Sequence, residues 1–281
     1  VDQPLLAGVI GDPVAHSRSP AIHNAAFAHL GIGARYELWP TSAAELGARI
    51  ESLRMPHILG ANVTLPHKVA VLPMLDRLDA DAAAIGAVNT IVREADGTLS
   101  GANTDAPAFL ESLREDGGYE PSGQTTLILG ASGAARAAAV ALIGAGIERL
   151  IVVNRTLERA EALLGDALAA TEHDPLLLAL TPDDPALPDL LAGTTLIVNA
   201  TSLGWNTVDT PLAAELIPAG ALIFDMVYRP TRLLREATLR GARPLDGVGM
   251  FVRQAALAFE RWTGRLAPLD MMRAALTSSE F

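Results

Sequence analysis

Residues 62–68 read Asn-Val-Thr-Leu-Pro-His-Lys, and Lys68 is the only lysine of the 281 residues. Every other basic side chain is arginine. A guanidinium stays charged at any working pH, whereas an ammonium can give up and regain a proton when burial or a neighbouring charge shifts its pKa. In a chain that otherwise uses arginine, this lysine is where that difference could matter. A partner is suggested by residues 89–104, two strand-like runs around Asp96-Gly97, which is a strong hairpin signal. Folding about that turn brings Asn89 close to Asp105, with the register open by one residue. A carboxylate there can orient the ammonium and relay its proton. Each residue also has a plainer reading: Lys68 as a chance survivor at a helix start, and Asn103-Thr104-Asp105 as the cap of the helix that follows.

A second chemistry is phosphate binding. Gly130-Ala131-Ser132-Gly133-Ala134-Ala135-Arg136 lies between an apolar run and a helical pattern, where backbone N–H groups at a helix N-terminus can bind a pyrophosphate. The full glycine pattern is not met, because Ser132 and Ala135 occupy its second and third glycine positions; a tight strand-helix turn is the alternative. The next strand runs into Asn154-Arg155-Thr156, where an NAD site has a carboxylate for the ribose hydroxyl. A guanidinium with a hydroxyl beside it instead suits a 2′-phosphate, which favours NADP. The alternative is that Arg155 and Thr156 only open a helix. Arg136 is either a second cation for that phosphate or a solvated helix residue. Thr201, Ser202 and Met226 fall at later strand ends, the edge where ligands gather, although loop hydroxyls and a core methionine read equally well as structure.

A third is carboxylate binding. In His16-Ser17-Arg18-Ser19-Pro20, Ser19 reads as an N-cap with Pro20 at the first helical position. Two serines beside free helix-end N–H groups also make a carboxylate site. His16 has no acid beside it in sequence and reads as structural.

The elements that must position these groups follow from periodicity. Strands are expected at 5–10, 36–40 and 58–64, with helices at 20–31 and from Ser42, where Ser42 and Glu45 form a capping box. After the hairpin come a helix over 107–116, a Gly/Pro/Ser linker and buried strands at 125–130, 149–154, 194–200 and 221–227, mostly separated by helices. That is a doubly wound sheet. Residues 181–193, acidic and proline-rich, read as a surface connection. Phe251, Ala255, Ala258 and Trp262 share one face of a later helix.

Composition limits the partners. The chain is 50% hydrophobic and 4% aromatic, which suits an α/β protein with a substantial core. Its net charge of -11 opposes nucleic acid and anionic membranes. It has no cysteine, which excludes disulfides and thiol chemistry. Neither a signal peptide nor a membrane-spanning run is evident, so a cytoplasmic protein is expected.

Taken together, the blocks GDPVAHSRSP, NVTLPHK, IGAVNT, GANTD, GASGAAR, NRT, NATSLG, DMVYRP and DGVGMFVRQAALAFERWTG resemble, in order, the shikimate dehydrogenase family. The resemblance spans nearly the whole chain. It implies an NADP-dependent oxidoreductase acting on a CH–OH group, reducing 3-dehydroshikimate reversibly to shikimate in chorismate and aromatic amino-acid biosynthesis. It implies two α/β domains: a substrate domain over 1–105 plus 250–281, and a Rossmann-like NADP domain over 106–249, with both ligands in the cleft between them. Lys68 and Asp105 would be the catalytic pair. Ser17 and Ser19 would hold the substrate carboxylate with Tyr228 near it, and Thr64, Asn89 and Gln254 would bind ring hydroxyls. Gly130, Ala131, Ser132, Gly133 and Ala134 would take the pyrophosphate, and Asn154, Arg155, Thr156 and Arg159 the 2′-phosphate end. Met226 and Gly247 would lie near the nicotinamide. Tyr228 as a strand end and Gln254 as a solvent-facing helix residue are the plainer readings. Ala108 and Ser132 stand where the family commonly has glycine. A metal is not implied, and the partners would be small molecules, for a monomer or homodimer. The alternatives are a quinate/shikimate dehydrogenase and a non-catalytic NADP-binding sensor.

Overall fold

The computed structural model describes residues 4–277; residues 1–3 and 278–281, which the expected substrate domain includes, lie outside it. The chain divides into two compact units, Val1–Thr104 with Val252–Phe281, and Asp105–Phe251.

The first unit begins β1 (Leu5–Gly11), α1 (Ser19–His29), β2 (Ala34–Pro40), α2 (Leu46–Ser52) and β3 (Ile58–Val63). It continues with β4 (Arg77–Leu78), α3 (Ala80–Ile85) and the hairpin β5 (Thr90–Arg93) and β6 (Leu99–Ala102). The sheet order is β2-β1-β3-β5-β6-β4. β1 runs parallel to β2 and β3, whereas β5 is antiparallel to both β3 and β6. β1 is buried along most of its length, as a continuous apolar run requires of an interior parallel strand.

Two helix starts differ from expectation. Ser42 and Glu45 do bond, the Ser42 N–H and Oγ both donating to Glu45 Oε2 at 3.0 and 2.6 Å. The Ser42 hydroxyl thus binds the carboxylate rather than a helix N–H, so the pair closes a turn and α2 begins only at Leu46. Ser19 is the first helical residue of α1, not its cap; Arg18 occupies that position. The hairpin register pairs Thr90 with Ala102.

The second unit opens with α4 (Asp105–Glu115) and alternates β7 (Thr125–Leu129), α5 (Gly133–Gly144), β8 (Arg149–Val153), α6 (Leu157–Ala169) and β9 (Leu176–Leu180). After α7 (Leu187–Ala192) come β10 (Leu196–Asn199), β11 (Leu222–Asp225), α8 (Arg232–Leu239) and β12 (Arg243–Leu245). All its pairings are parallel, in the order β12-β11-β10-β7-β8-β9. This is the doubly wound arrangement, with its switch point between β7 and β10. The proline-rich stretch 181–193 is not all connection: α7 lies within it, with Pro188 in its first turn, where the missing N–H costs nothing. Leu187 and Leu191 anchor α7 in the core.

The chain ends with α9 (Val248–Thr263) and α10 (Leu269–Thr277). Ala255 and Ala258 on α9 are fully buried, and Trp262 Nε1 donates to the Ile91 carbonyl at 2.9 Å, fastening α9 to β5. Among the described residues, no helix is long and apolar enough to cross a membrane.

His23 of α1 is completely buried, stacked 4.3 Å from the Tyr36 ring and tilted against Trp262. Neither ring nitrogen reaches a partner in good hydrogen-bond geometry. Burial pushes its pKa down to about 3, with Asn62 opposing only in part. The folded chain therefore holds this imidazole neutral, and its full contribution is present above the ordinary value of 6.5. Below that value the unfolded chain takes up a proton that the folded chain refuses, so stability falls as pH drops toward 3, by up to about 1.4 kcal/mol per pH unit. His23→Phe should flatten the decline of unfolding free energy between roughly pH 6 and 4 relative to the parent. Parallel declines, measured by urea titration at several pH values, would contradict this.

Candidate active site

The Lys68 turn is held by main-chain bonds on both sides. Val63 N–H donates to the Asn89 carbonyl at 2.8 Å, and Val88 N–H donates to the Lys68 carbonyl at 2.8 Å. Thr64 N–H donates to the Ile10 carbonyl at 2.8 Å. The buried His67 ring adds a side-chain tie, with Nε2 2.7 Å from the Thr41 carbonyl. Lys68, half-buried, thus sits in a turn and not at a helix start. Gly11 makes room for this turn: a Cβ there would lie 2.5 Å from Thr64 Cγ2.

Beside the turn lies a buried polar network. Asn89 Oδ1 accepts from Thr104 N–H at 2.8 Å, and its Nδ2 donates to Thr104 Oγ1 at 2.9 Å. Thr104 Oγ1 also donates to the Gln254 carbonyl at 3.0 Å, so one hydroxyl joins the hairpin end to α9. Asn62 Oδ1 accepts from the Tyr36 hydroxyl at 2.7 Å, and its Nδ2 donates to the Asn89 carbonyl at 3.2 Å. Burial raises the Tyr36 pKa well above its ordinary value, with Ser19 opposing, which keeps the phenol a donor. Sequence reasoning does not place Asn62, Tyr36 or Thr104 in a site. The available signal is a polar residue inside an otherwise apolar strand, as Asn62 is in 58–63.

Ser17 Oγ donates to Ser19 Oγ at 3.1 Å. Ser19 is buried and Ser17 half-buried, and the start of α1 offers an anion little backbone: Ser19 N–H donates to Ser17 Oγ at 3.3 Å, Pro20 has no N–H, and Ala21 N–H donates to the Arg18 carbonyl at 3.1 Å, which leaves the two hydroxyls as the groups able to donate. His16 is exposed and has no hydrogen-bond partner among the described residues. Asp105 is buried, as the first residue of α4 directly after Thr104. Gln254 and Tyr228 are half-buried rather than solvent-facing. The Tyr228 ring stacks on Phe251 with centroids 4.1 Å apart and meets Trp205 edge-on at 4.6 Å.

In the second unit the glycine loop leaves β7 at the switch point. Gly130 has φ +102°, and a Cβ there would lie 2.9 Å from Thr201 Cγ2, so both conformation and space call for glycine. Ser132, where the family commonly has glycine, caps α5: its Oγ accepts from Ala135 N–H at 3.2 Å and donates to the Ala200 carbonyl at 3.0 Å. The serine therefore ties the loop to the end of β10. Ala131, Gly133 and Ala134 complete the half-buried loop.

At the end of β8, Asn154 Nδ2 donates to the Thr156 carbonyl at 2.8 Å, and Thr156 is the residue before α6, with no side-chain cap bond of its own. Arg155 and Arg159 are exposed and carry no ion pair among the described residues. Arg136 is different: its Nη1 lies 2.6 Å from Asp166 Oδ2, a tie between α5 and α6 rather than a free cation. Thr201 and Ser202 follow β10, Met226 follows β11, and Gly247 directly precedes α9. A helix N-terminus behind a glycine turn, with two uncommitted guanidiniums at the next strand, fits an NADP-type dinucleotide. Among the described residues, no cluster is placed to hold a metal ion.

Sheet order, the glycine turn before α5 and two arginines without an ion pair among the described residues fit one class, the nicotinamide-dinucleotide oxidoreductases. Family models narrow this. Residues 9–91 match the shikimate dehydrogenase substrate binding domain, 113–202 the shikimate/quinate 5-dehydrogenase model and 247–277 the shikimate 5′-dehydrogenase C-terminal domain. The chain is 42% identical over 270 residues to the shikimate dehydrogenase (NADP(+)) of Geobacillus kaustophilus, covering 95% of each. It is 41% identical to the shikimate 5-dehydrogenase of Thermus thermophilus, solved with NADP(H) and shikimate, with a TM-score of 0.85 and coverage of 97% and 98%. A quinate dehydrogenase from Corynebacterium glutamicum, solved with NAD, is 30% identical with a TM-score of 0.88 and coverage of 99% and 100%. This chain belongs to the shikimate dehydrogenase family.

Arg155→Ala should raise the KM for NADP at least about tenfold, the scale of one charge-assisted bond, and leave the KM for NAD unchanged. An equal loss with both cofactors would contradict the assignment.

Proposed function

We propose that this protein catalyses the reversible NADPH-dependent reduction of 3-dehydroshikimate to shikimate, a step toward chorismate and the aromatic amino acids. The observation that carries the reading is full-length kinship: 42% identity to an NADP-dependent shikimate dehydrogenase over 95% of both chains. Residues 1–105 with 250–281 serve the substrate and 106–249 the cofactor.

Ser17 and Ser19 hold the substrate carboxylate through their hydroxyls, with Tyr228 near it. Thr64, Asn89 and Gln254 take ring hydroxyls; fixing the Asn89 amide through Thr104 sets which of its atoms donates. NADPH, when bound, supplies the hydride to the C3 carbonyl. Lys68 supplies the proton to the oxygen that becomes the hydroxyl, from its ammonium form, and Asp105 orients it. In the reverse direction Lys68 accepts that proton. Gly130 to Ala134 would hold the pyrophosphate, with the backbone N–H groups of 131–134 as donors, since the Gly130 N–H itself donates to the Val153 carbonyl at 2.8 Å. Asn154, Arg155, Thr156 and Arg159 hold the 2′-phosphate, and Thr201, Ser202, Met226 and Gly247 border the nicotinamide. With small molecules as its ligands and no need of a membrane, the enzyme works in the cytoplasm, as a monomer or homodimer.

The matched family model names quinate beside shikimate, so quinate is the competing substrate. Absorbance of reduced nicotinamide, followed with shikimate or quinate and with NADP or NAD in all four pairings, tests the reading. Turnover confined to shikimate with NADP is expected. Comparable turnover of quinate, or a preference for NAD, would replace it with the quinate/shikimate reading, and silence in all four from a folded, NADP-binding sample would favour a sensor.

A further inference from the structure

Asp225 ends β11 with no solvent exposure, and the reaction as proposed gives it no task. A carboxylate in such a place persists only if its oxygens are fully hydrogen-bonded. Its Oδ1 accepts from Asn199 Nδ2 at 2.9 Å and from Val227 N–H at 3.0 Å. Its Oδ2 accepts from Thr231 Oγ1 at 2.6 Å. Burial raises its pKa while these three donors pull it back.

The bonds continue outward in both directions. Asn199 Oδ1 accepts from Thr201 N–H at 3.0 Å and from Thr201 Oγ1 at 2.7 Å, so the amide that donates to Asp225 is also what fixes Thr201. On the other side Thr231 Oγ1 accepts from Leu234 N–H at 3.3 Å, capping α8. Met226 N–H donates to the Asn199 carbonyl at 3.0 Å. The ends of β10 and β11, which carry Thr201 and Ser202 on one side and Met226 and Tyr228 on the other, are thus joined through a single buried carboxylate.

We propose that Asp225 is a positioning residue for the cofactor: through Asn199 it sets Thr201, and through Val227 N–H it sets the turn that carries Met226. The nicotinamide half of NADP then meets an edge already ordered before it arrives, so less ordering remains to be done on binding. The inference rests on the placement of the nicotinamide given in the previous subsection.

Three variants separate positioning from plain stability. Asp225→Ala removes the junction. Asn199→Ala cuts the branch to Thr201, together with the 3.4 Å bond from Asn199 Nδ2 to the Leu203 carbonyl, and leaves Asp225 its bonds to Val227 and Thr231. Thr231→Val removes the other branch and the cap of α8, and leaves Oδ1 with both donors. For each, the NADP dissociation constant by direct titration, KM for NADP, KM for shikimate at saturating NADP, and Tm are measured on the full chain.

The NADP constants should rise about tenfold or more in Asp225→Ala and several-fold in Asn199→Ala, with the shikimate KM within about threefold. Thr231→Val should lower Tm further than loss of a cap alone, because it also leaves Asp225 Oδ2 without its donor, yet keep the NADP constants within about threefold, because the bonds from Oδ1 to Asn199 and Val227 remain. Unchanged NADP affinity in Asn199→Ala, or losses that track Tm across all three variants, would overturn the proposal. If Asp225→Ala does not fold, Asp225→Asn, which keeps the shape of the side chain and replaces one acceptor oxygen by a donor, is measured in its place and read the same way. A parent that binds NADP without turning over shikimate defeats the proposed reaction but not this inference, because the titration needs no turnover. A parent that does not bind NADP defeats both.

Discussion

Two main-chain hydrogen bonds, Val88 N–H to the Lys68 carbonyl and Val63 N–H to the Asn89 carbonyl, hold the NVTLPHK turn against the start of the hairpin. Each contributes only about 1 kcal/mol to stability. Their larger effect is geometric: a connecting segment that would otherwise be among the more mobile parts of a fold becomes an extension of the sheet. The only lysine in the chain is then fixed relative to Asn89, whose amide is fixed in turn by Thr104. Catalysis by proton transfer depends on this kind of placement, because a displacement of about 1 Å can cost a hundredfold in rate. Gly11 and the buried His67 serve the same end, one by making room beneath Thr64 and the other by anchoring the turn to Thr41.

The second unit solves a different problem. A chain of net charge -11 must attract a ligand that is itself strongly anionic. Screening confines long-range repulsion to about 8 Å at physiological salt, so local groups decide. The N-terminus of α5, opened by a glycine at φ +102°, supplies oriented N–H groups. Arg155 and Arg159 supply charge that no carboxylate among the described residues has claimed, whereas Arg136 is committed to Asp166. On the proposed reading, an arginine that binds the cofactor and one that serves the fold differ in whether a carboxylate has already claimed them.

Much of this is legible in the sequence, for reasons that differ by residue. Lys68 stands out because the rest of the composition makes it an exception. The strands at 125–129, 149–153, 196–199 and 222–225 are legible because strands buried on both faces read as unbroken apolar runs. β12 escapes because it is three residues long and contains a proline, and β9 because LLLAL leads straight into an acidic, proline-rich stretch. The helix caps fall elsewhere than expected because the rule is short-range: Ser42 and Glu45 form their bond, but to each other and a turn too early. Tyr36 and Thr104 are hard to see because nothing local marks a polar residue whose partner lies on another element, and Asn62 is marked only as a polar residue within an apolar strand. Asp225 shows the same limit in part: Val227 and Thr231 follow closely in sequence, but Asn199 lies on another strand.

Lys68 is needed, on this account, for its proton and not only for its charge. Lys68→Arg tests that directly, because arginine keeps the charge and gives up exchange. Turnover of shikimate with NADP should fall at least about a hundredfold, the scale of general acid-base catalysis, while the shikimate KM changes little. Turnover within a few-fold of the parent would show that a fixed positive charge is enough, and the account of Lys68 as proton donor would be wrong.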